Sequence, residues 1–228
     1  MFILLPKMQL IKVFNMLIET EDRKKEILSI AKSCKSKFIY ASSASVYGLN
    51  EDSEEIRANE APLNIYAESK LLFDQYIMAQ DYPAVGLRYF NVYGRGEENK
   101  GKMASMAYKM NEEYVQSKKI SLFKGTGGYK NGEQKRDFVH VYDIVEGLKK
   151  IAFSDLHHDD AWELGTGISY SINNLFQFFK ERFNVNHISI SDQPGNYRKT
   201  LRENDDTLKL LNWSPKDRLE EHINNIKI

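Results

Sequence analysis

Apolar and polar positions along the chain fall into blocks that switch between a helical and an extended period. Glu21–Ser33 carries Ile27, Ile30, Ala31 and Cys34 at helical spacing, with Thr20 placed to cap it. Lys37–Ser42 (KFIYAS) is a short apolar run of the kind that forms a buried parallel strand and ends in a turn. Asn64–Gln80 reads as a helix: Pro62 precedes it, Asn64 can cap it, and Leu71, Leu72, Tyr76 and Ile77 give it an apolar side. Downstream the pattern predicts a strand at Ala84–Tyr89, a helix at Met103–Ser117, a short strand at Ile120–Phe123 and a glycine-rich loop from Gly125 to Gly132. A strand at Phe138–Val141 then leads into a helix at Asp143–Phe153. Next come a strand at Ala161–Leu164, a helix at Ser171–Phe183, a strand at His187–Ile190 and two short helices around Trp213-Ser214-Pro215. This order predicts an α/β fold with a doubly wound, Rossmann-type parallel sheet. Ligands of such sheets sit beyond the carboxyl ends of the strands, where Ser43, Asn91 and Gly165 fall.

Within that frame the most informative chemistry is Tyr66-Ala-Glu-Ser-Lys70, preceded by Ser42-Ser43-Ala44-Ser45-Val46-Tyr47-Gly48. Residues at i and i+4 share a helix face, so a phenol and an ammonium point into one region. A free phenol has a pKa near ~10 and is a poor base at neutral pH. Lowering it by two to three units takes roughly 3–4 kcal/mol of preferential phenolate stabilisation. A nearby cation supplies part of that, and a bound cationic nicotinamide ring would supply more. Ser42 and Ser45 read as turn formers.

Composition narrows the field. The 228 residues carry 32 basic and 32 acidic side chains, which argues against a general nucleic-acid binder. Arg95–Arg136 departs from neutrality, with ten Lys/Arg against five Asp/Glu. That excess is either a solvated surface or a pocket for a small anionic ligand such as a sugar nucleotide. The lone Cys34 excludes an intrachain disulfide and is expected in the core; the five histidines show no metal-ligand spacing, and His157-His158 reads as a loop. The apolar start Met1–Phe14 is too short and too interrupted for a membrane span and lacks the features of a signal peptide, so a soluble cytoplasmic protein is expected, with no membrane partner. Gly127, Gly128 and Gly132 precede no helix start and are expected to form a hairpin turn.

Five segments, FIYASSASVYG, IYAESK, LRYFNVYG, KRDFVHVYD and WELGTGISYSI, occur in the order found in the extended short-chain dehydrogenase/reductase family of sugar-nucleotide epimerases and dehydratases, which the chain resembles over roughly residues 20–228. NVYGRGEENKGKMASMAY, the LFKGT and KRDF pair and GNYRKTLRENDDTLKLLNW look most like the heptose-epimerase branch. The resemblance implies a reaction by transient oxidation and re-reduction of a nucleotide-diphosphate sugar, with NAD or NADP as cofactor. Rival activities within the family are a UDP-hexose 4-epimerase and a dehydratase. It implies Ser43 as a hydrogen-bond partner of the substrate oxygen, Tyr66 as acid/base, and Lys70 on the nicotinamide ribose. Asn91 and Val92 would meet the substrate and the nicotinamide end, and Lys100 would be a second proton-transfer group. Phe123, Lys124, Gly125, Thr126, Arg136 and Tyr197 match substrate-binding positions. Lys102 and Lys109 occupy substrate-binding positions where the heptose enzymes usually show a serine and a histidine. The implied division is residues 1–94 with 139–166 as an incomplete Rossmann domain, and 95–138 with 167–228 as a substrate-binding lobe.

One expectation runs against activity of the isolated chain. There is no glycine before Gly48, and Met1–Thr20 does not resemble the strand–glycine-loop–helix with which the family begins. Three readings stay open: an epimerase whose front half comes from another chain, an inactive fragment, or a sugar-nucleotide-binding module without turnover. In the usual strand order Lys37–Ser42 would then lie at an uncovered edge, and Met1–Phe14 is the segment available to serve there as a substitute strand. Relatives often pair through the helices corresponding to Glu21–Ser33 and Asn64–Gln80, so a homo-oligomer is a further expectation.

Overall fold

The computed structural model describes residues 2–5, 21–48, 60–125, 128–155, 162–185, 188–191, 199–203 and 205–227. Among the described residues the main sheet contains β2 (Lys37–Ser43), β3 (Ala84–Tyr89) and β7 (Trp162–Leu164), all parallel. β1 (Phe2–Leu5) covers the outer edge of β2 in antiparallel register, Phe2 opposite Tyr40 and Leu5 opposite Lys37. Part of the Met1–Phe14 run thus acts as the edge strand anticipated for it.

The sheet is buried on both faces because β2 alternates its side chains between two cores. Phe38 and Tyr40 join Leu28 and Ala31 of α1 (Glu21–Ser33) and Phe73 and Ile77 of α2 (Ile65–Met78). Ile39 points the other way, into a core with Val85, Leu87 and Trp162. That core is closed by Ile144 and Ile151 of α4 (Val141–Ala152) and by Leu211 of α6 (Asp206–Leu211). Phe38 and Leu87 are each fully buried, worth about 1.5–3 kcal/mol per side chain in transfer free energy.

The remaining strands build a lobe at the carboxyl end of this sheet. β4 (Asn91–Tyr93) and β6 (Lys135–His140) pair in parallel, and β8 (Ser169–Ser171) adds to β6 antiparallel. β5 (Ile120–Phe123) and β9 (Ile188–Ser191) form a separate parallel pair. Their core unites Tyr93, Ile120, Leu122, Phe123 and Phe138 with Met110 of α3 (Met106–Ser117), Leu175 and Phe179 of α5 (Ile172–Phe183), and Leu219 and Ile223 of α7 (Leu219–Asn224).

Four expectations need correction. Cys34 is exposed: helix α1 ends at Ser33 and Lys35 turns left-handed at φ 49°, carrying the thiol off the apolar face. The Gly125–Gly132 loop is no β-hairpin, because β5 pairs with β9 while β6 is engaged by β4 and β8. It is instead closed by Gly132 N–H donating to the Phe123 carbonyl (3.0 Å) and Gly125 N–H to Asn131 Oδ1 (2.8 Å). The helix expected from Met103 starts at Met106, since Ser105 caps it by accepting from Tyr108 N–H at 3.1 Å. Ser42 is no turn former but a buried strand residue whose hydroxyl donates to Asp74 at 2.7 Å. Residues Thr126, Gly127, His157, His158 and Tyr197 lie outside the described residues.

Candidate active site

The site starts where β2 ends. Ser43 is the last strand residue and caps the short 3-10 turn Ala44–Tyr47, its Oγ accepting from Ser45 N–H at 3.2 Å. Helix α2 begins beside this turn because Asn64, in extended conformation, accepts Ala67 N–H at 2.9 Å and so satisfies one of the first-turn donors. Tyr66 and Lys70 then fall on one face, in its first two turns. The Lys70 ammonium donates to the Ala41 carbonyl of β2 at 3.0 Å and lies 5.5 Å from the centre of the Tyr66 ring. Ser43, Tyr66 and Lys70 are thereby gathered at the carboxyl end of β2, with the tyrosine 42 % exposed.

The next strand contributes from the other side. Ser43 is paired in register with Tyr89, and one residue later the chain crosses into β4 with Asn91 and Val92. The Asn91 amide nitrogen donates to the Asp137 carbonyl (3.1 Å) and to Thr200 Oγ1 (2.7 Å), so both its hydrogens bind the lobe. Val92 packs half-buried against the core of the main sheet.

The other candidates are spread over the lobe. Lys100 precedes the 3-10 turn Gly101–Met103, and its ammonium lies 3.9 Å from Glu97. Glu97 is itself buried, accepting the N–H groups of Gly94 and Ser105 and the Ser105 hydroxyl, which pins this loop. Lys102 belongs to the same turn, its side chain outside the described set. Lys109 is half-buried on α3. The Phe123 ring is lobe core, so its backbone is what faces the neighbouring loop. Lys124 is exposed, and Gly125 allows no side chain, since a Cβ there would stand 2.1 Å from the Tyr129 carbonyl oxygen. Arg136 is buried, with Nη1 donating to the Lys135 carbonyl at 2.7 Å.

Two buried networks escaped the sequence reading. Asp137, fully buried, accepts Thr166 N–H, the Thr166 hydroxyl, Gly167 N–H and Arg202 N–H at 2.7–3.0 Å, tying β6 to the turn after β7 and to the 199–203 segment. Burial raises its pKa and these hydrogen bonds oppose the rise. Arg88, on β3, is the hub of the second, which joins Asp74, Tyr47 and Glu60 and, through Tyr47, reaches Glu163. Burial pushes the Glu163 carboxyl up to about 7. A lone Arg in a strand and acids scattered from 60 to 163 share no spacing, so no local sequence signal marks these contacts.

A cavity of about 320 Å3, lined by Lys35–Lys37, Tyr82, Pro83, Ser154 and Asp155, opens at the opposite, amino-terminal end of the sheet. There the Lys37 ammonium donates to the Ile151 and Ser154 carbonyls at 2.7 Å each, and the Tyr82 hydroxyl to the Ala31 carbonyl. This space lies among the segments that lead into β2 and β3 and the one that follows α4, away from Ser43 and Tyr66. Among the described residues no three metal-ligating side chains come together, and no helix is long and apolar enough to cross a membrane.

A phenol and an ammonium at a strand's carboxyl end, beside a serine hydroxyl, suit the nicotinamide-ribose end of a nicotinamide dinucleotide. For the pyrophosphate, the described residues offer no glycine turn that runs from a strand into a helix start.

Comparison with known proteins follows the same lines. The model of the NAD dependent epimerase/dehydratase family matches residues 23–165. The ADP-L-glycero-D-manno-heptose-6-epimerase of Thiobacillus denitrificans is 42 % identical over 147 residues, which is 61 % of this chain and 43 % of that protein. The crystal structure of the Helicobacter pylori ADP-L-glycero-D-manno-heptose-6-epimerase superposes with a TM-score of 0.77 at 31 % identity, over 89 % of this chain and 62 % of that one. The UDP-glucose 4-epimerase of Thermotoga maritima, solved with UDP-glucose, gives a TM-score of 0.70 at 26 % identity, over 82 % of this chain and 61 % of that one. The chain thus spans less than two thirds of the length of these relatives. With its family model matching well over half the chain, this protein belongs to the NAD dependent epimerase/dehydratase family.

Proposed function

We propose that the site serves epimerisation of a nucleotide-activated sugar, with an ADP-activated heptose as substrate, in the manner of the ADP-L-glycero-D-manno-heptose 6-epimerases. The observation that carries the reading is the Lys70 ammonium set 5.5 Å from the Tyr66 ring at the carboxyl end of β2, with Ser43 alongside. Bound NAD or NADP supplies an acceptor, and then a donor, of hydride at the sugar carbon. In this reading Ser43 orients the reacting oxygen by a hydrogen bond, and Tyr66 Oη takes and later returns its proton. Lys70 favours the ionised phenol and holds the cofactor ribose. Inversion requires the carbonyl to present its two faces in turn, and Lys100 is the second proton-transfer group for the turned face. Residues 95–138 with 167–228 bind the nucleotide and sugar, where Arg136, Lys102, Lys109, Lys124 and the 123–126 loop supply positive charge and backbone donors. Residues 1–94 with 139–166 carry Ser43, Tyr66 and Lys70, and the lobe adds Lys100.

The test uses the ADP-heptose deuterated at the inverted carbon, with NAD or NADP and the protein. Inversion with the label retained supports the reading, since the hydride leaves and returns within one pocket. Exchange of the label with solvent, or inversion of UDP-glucose in preference to the ADP-heptose, contradicts the proposed route or substrate.

A further inference from the structure

The buried guanidinium of Arg88 does something no local motif announces. It is only 2 % exposed. Its Nε and Nη2 donate to Asp74 Oδ2 at 3.4 and 3.2 Å, its Nη1 donates to the Tyr47 hydroxyl at 2.9 Å, and its Nη2 forms an ion pair with Glu60. The guanidinium carbon also stacks 5.0 Å from the centre of the Tyr47 ring. Three separate segments therefore meet on one planar fork, a geometry that arginine can serve and lysine cannot. They are the segments that set the site. Tyr47 ends the turn that Ser43 begins, Glu60 leads into α2, and Asp74 stands one and two turns along α2 from Lys70 and Tyr66. Asp74 Oδ2 also accepts the hydroxyl of Ser42, the neighbour of Ser43. The roll and height of α2 against β2 are thus fixed at two points, Lys70 on the Ala41 carbonyl and Asp74 on Ser42 and Arg88.

We infer that Arg88 is a positioning residue: through Asp74, Glu60 and Tyr47 it sets the placement of Tyr66 and Lys70 relative to Ser43. The inference rests on the acid/base reading of Tyr66. Arg88 lies beneath the site and touches neither substrate nor cofactor in this account.

The test follows the Tyr66 phenol directly, by the ring carbon bearing oxygen in 13C-labelled tyrosine, its resonance assigned with Tyr66→Phe and titrated in the full chain. Lys70→Met should shift its titration to higher pH, and Arg88→Lys, which keeps the charge but loses the fork, should shift it the same way. Leu175→Ala, in the fully buried core of the lobe, lowers stability without touching α2 and should leave the titration where it is. Should Arg88→Lys fail to fold, Ser42→Ala and Tyr47→Phe each remove one anchor and should give smaller shifts in the same direction. A titration unmoved by these variants but moved by Lys70→Met overturns the positioning role alone. A titration unmoved by Lys70→Met overturns the acid/base reading and the inference with it.

Discussion

Lys70 binds Tyr66 to the sheet: its ammonium donates to the Ala41 carbonyl of β2 at 3.0 Å while lying 5.5 Å from the centre of the Tyr66 ring, one helical turn away. One cation thus locks the helix to the strand and lends its field to the phenol. Both tasks depend on Asn64 starting α2 in the right register beside the turn that holds Ser43.

Replacing Tyr66 by phenylalanine removes a single hydroxyl from a ring that is 42 % exposed. Turnover should fall by about 100- to 10,000-fold, the usual contribution of a general acid/base. Stability should change by no more than about 0.5 kcal/mol, as for surface substitutions generally. Steady-state rates and urea unfolding of the two proteins check both halves.

Glu163 gives stability a pH dependence. Its folded pKa, raised from 4.5 to about 7 by burial, exceeds the unfolded value, so the folded state holds the proton more tightly. Its contribution is fully present below pH 4.5 and is lost as pH rises toward 7, with a limiting slope of about 1.4 kcal/mol per pH unit. The difference in urea midpoint between the wild type and Glu163→Gln, which keeps an acceptor for the Tyr47 hydroxyl, should fall as pH rises from 5 to 8.

On the acid side His140 acts in the opposite sense. Its Nδ1 accepts Tyr142 N–H at 3.3 Å and caps α4, and its ring packs 5.5 Å from that of His222. Burial, with the neighbouring His222, holds its pKa below 6.5. A depressed folded pKa means stability present above pH 6.5 and lost as pH falls through the folded value. His140→Asn retains a capping oxygen and should flatten that loss in thermal melts recorded between pH 5 and 7.

Asp137→Ala removes the acceptor of three backbone N–H groups and one hydroxyl. Leaving these buried donors unpaired should cost about 3–5 kcal/mol. Hydrogen exchange should report the loss first at Thr166, Gly167 and Arg202. An unchanged denaturation midpoint would show that the 165–167 turn is held by other contacts.

The exposed Cys34 should react with a small disulfide reagent in the native protein at close to one equivalent and without loss of helicity. Protection until denaturant is added would restore the expectation of a core thiol.

What the sequence made legible is what local physics controls. α2 announces itself by Pro62, its Asn64 cap and its apolar face, and the pair at Tyr66 and Lys70 follows from helical spacing. Strands β2 and β3 are readable as apolar runs because both of their faces are buried. The three-residue strands β4 and β8 were not, since only their pairing with β6 distinguishes them from loop. The Arg88 and Asp137 networks join residues 14 to 116 positions apart, and nothing in their local surroundings sets those residues apart. The partner of β5 proved equally remote: Ile120 pairs with Ile188, whereas the glycines in between suggested a hairpin.

The central claim is that Lys70 makes Tyr66 a working acid/base, and its most direct test is the titration of the Tyr66 ring carbon in the wild type and in Lys70→Met, with and without NAD. The wild-type phenol should ionise at lower pH than the variant's, and any NAD bound should widen the gap. Coincident titrations in the two proteins would contradict it.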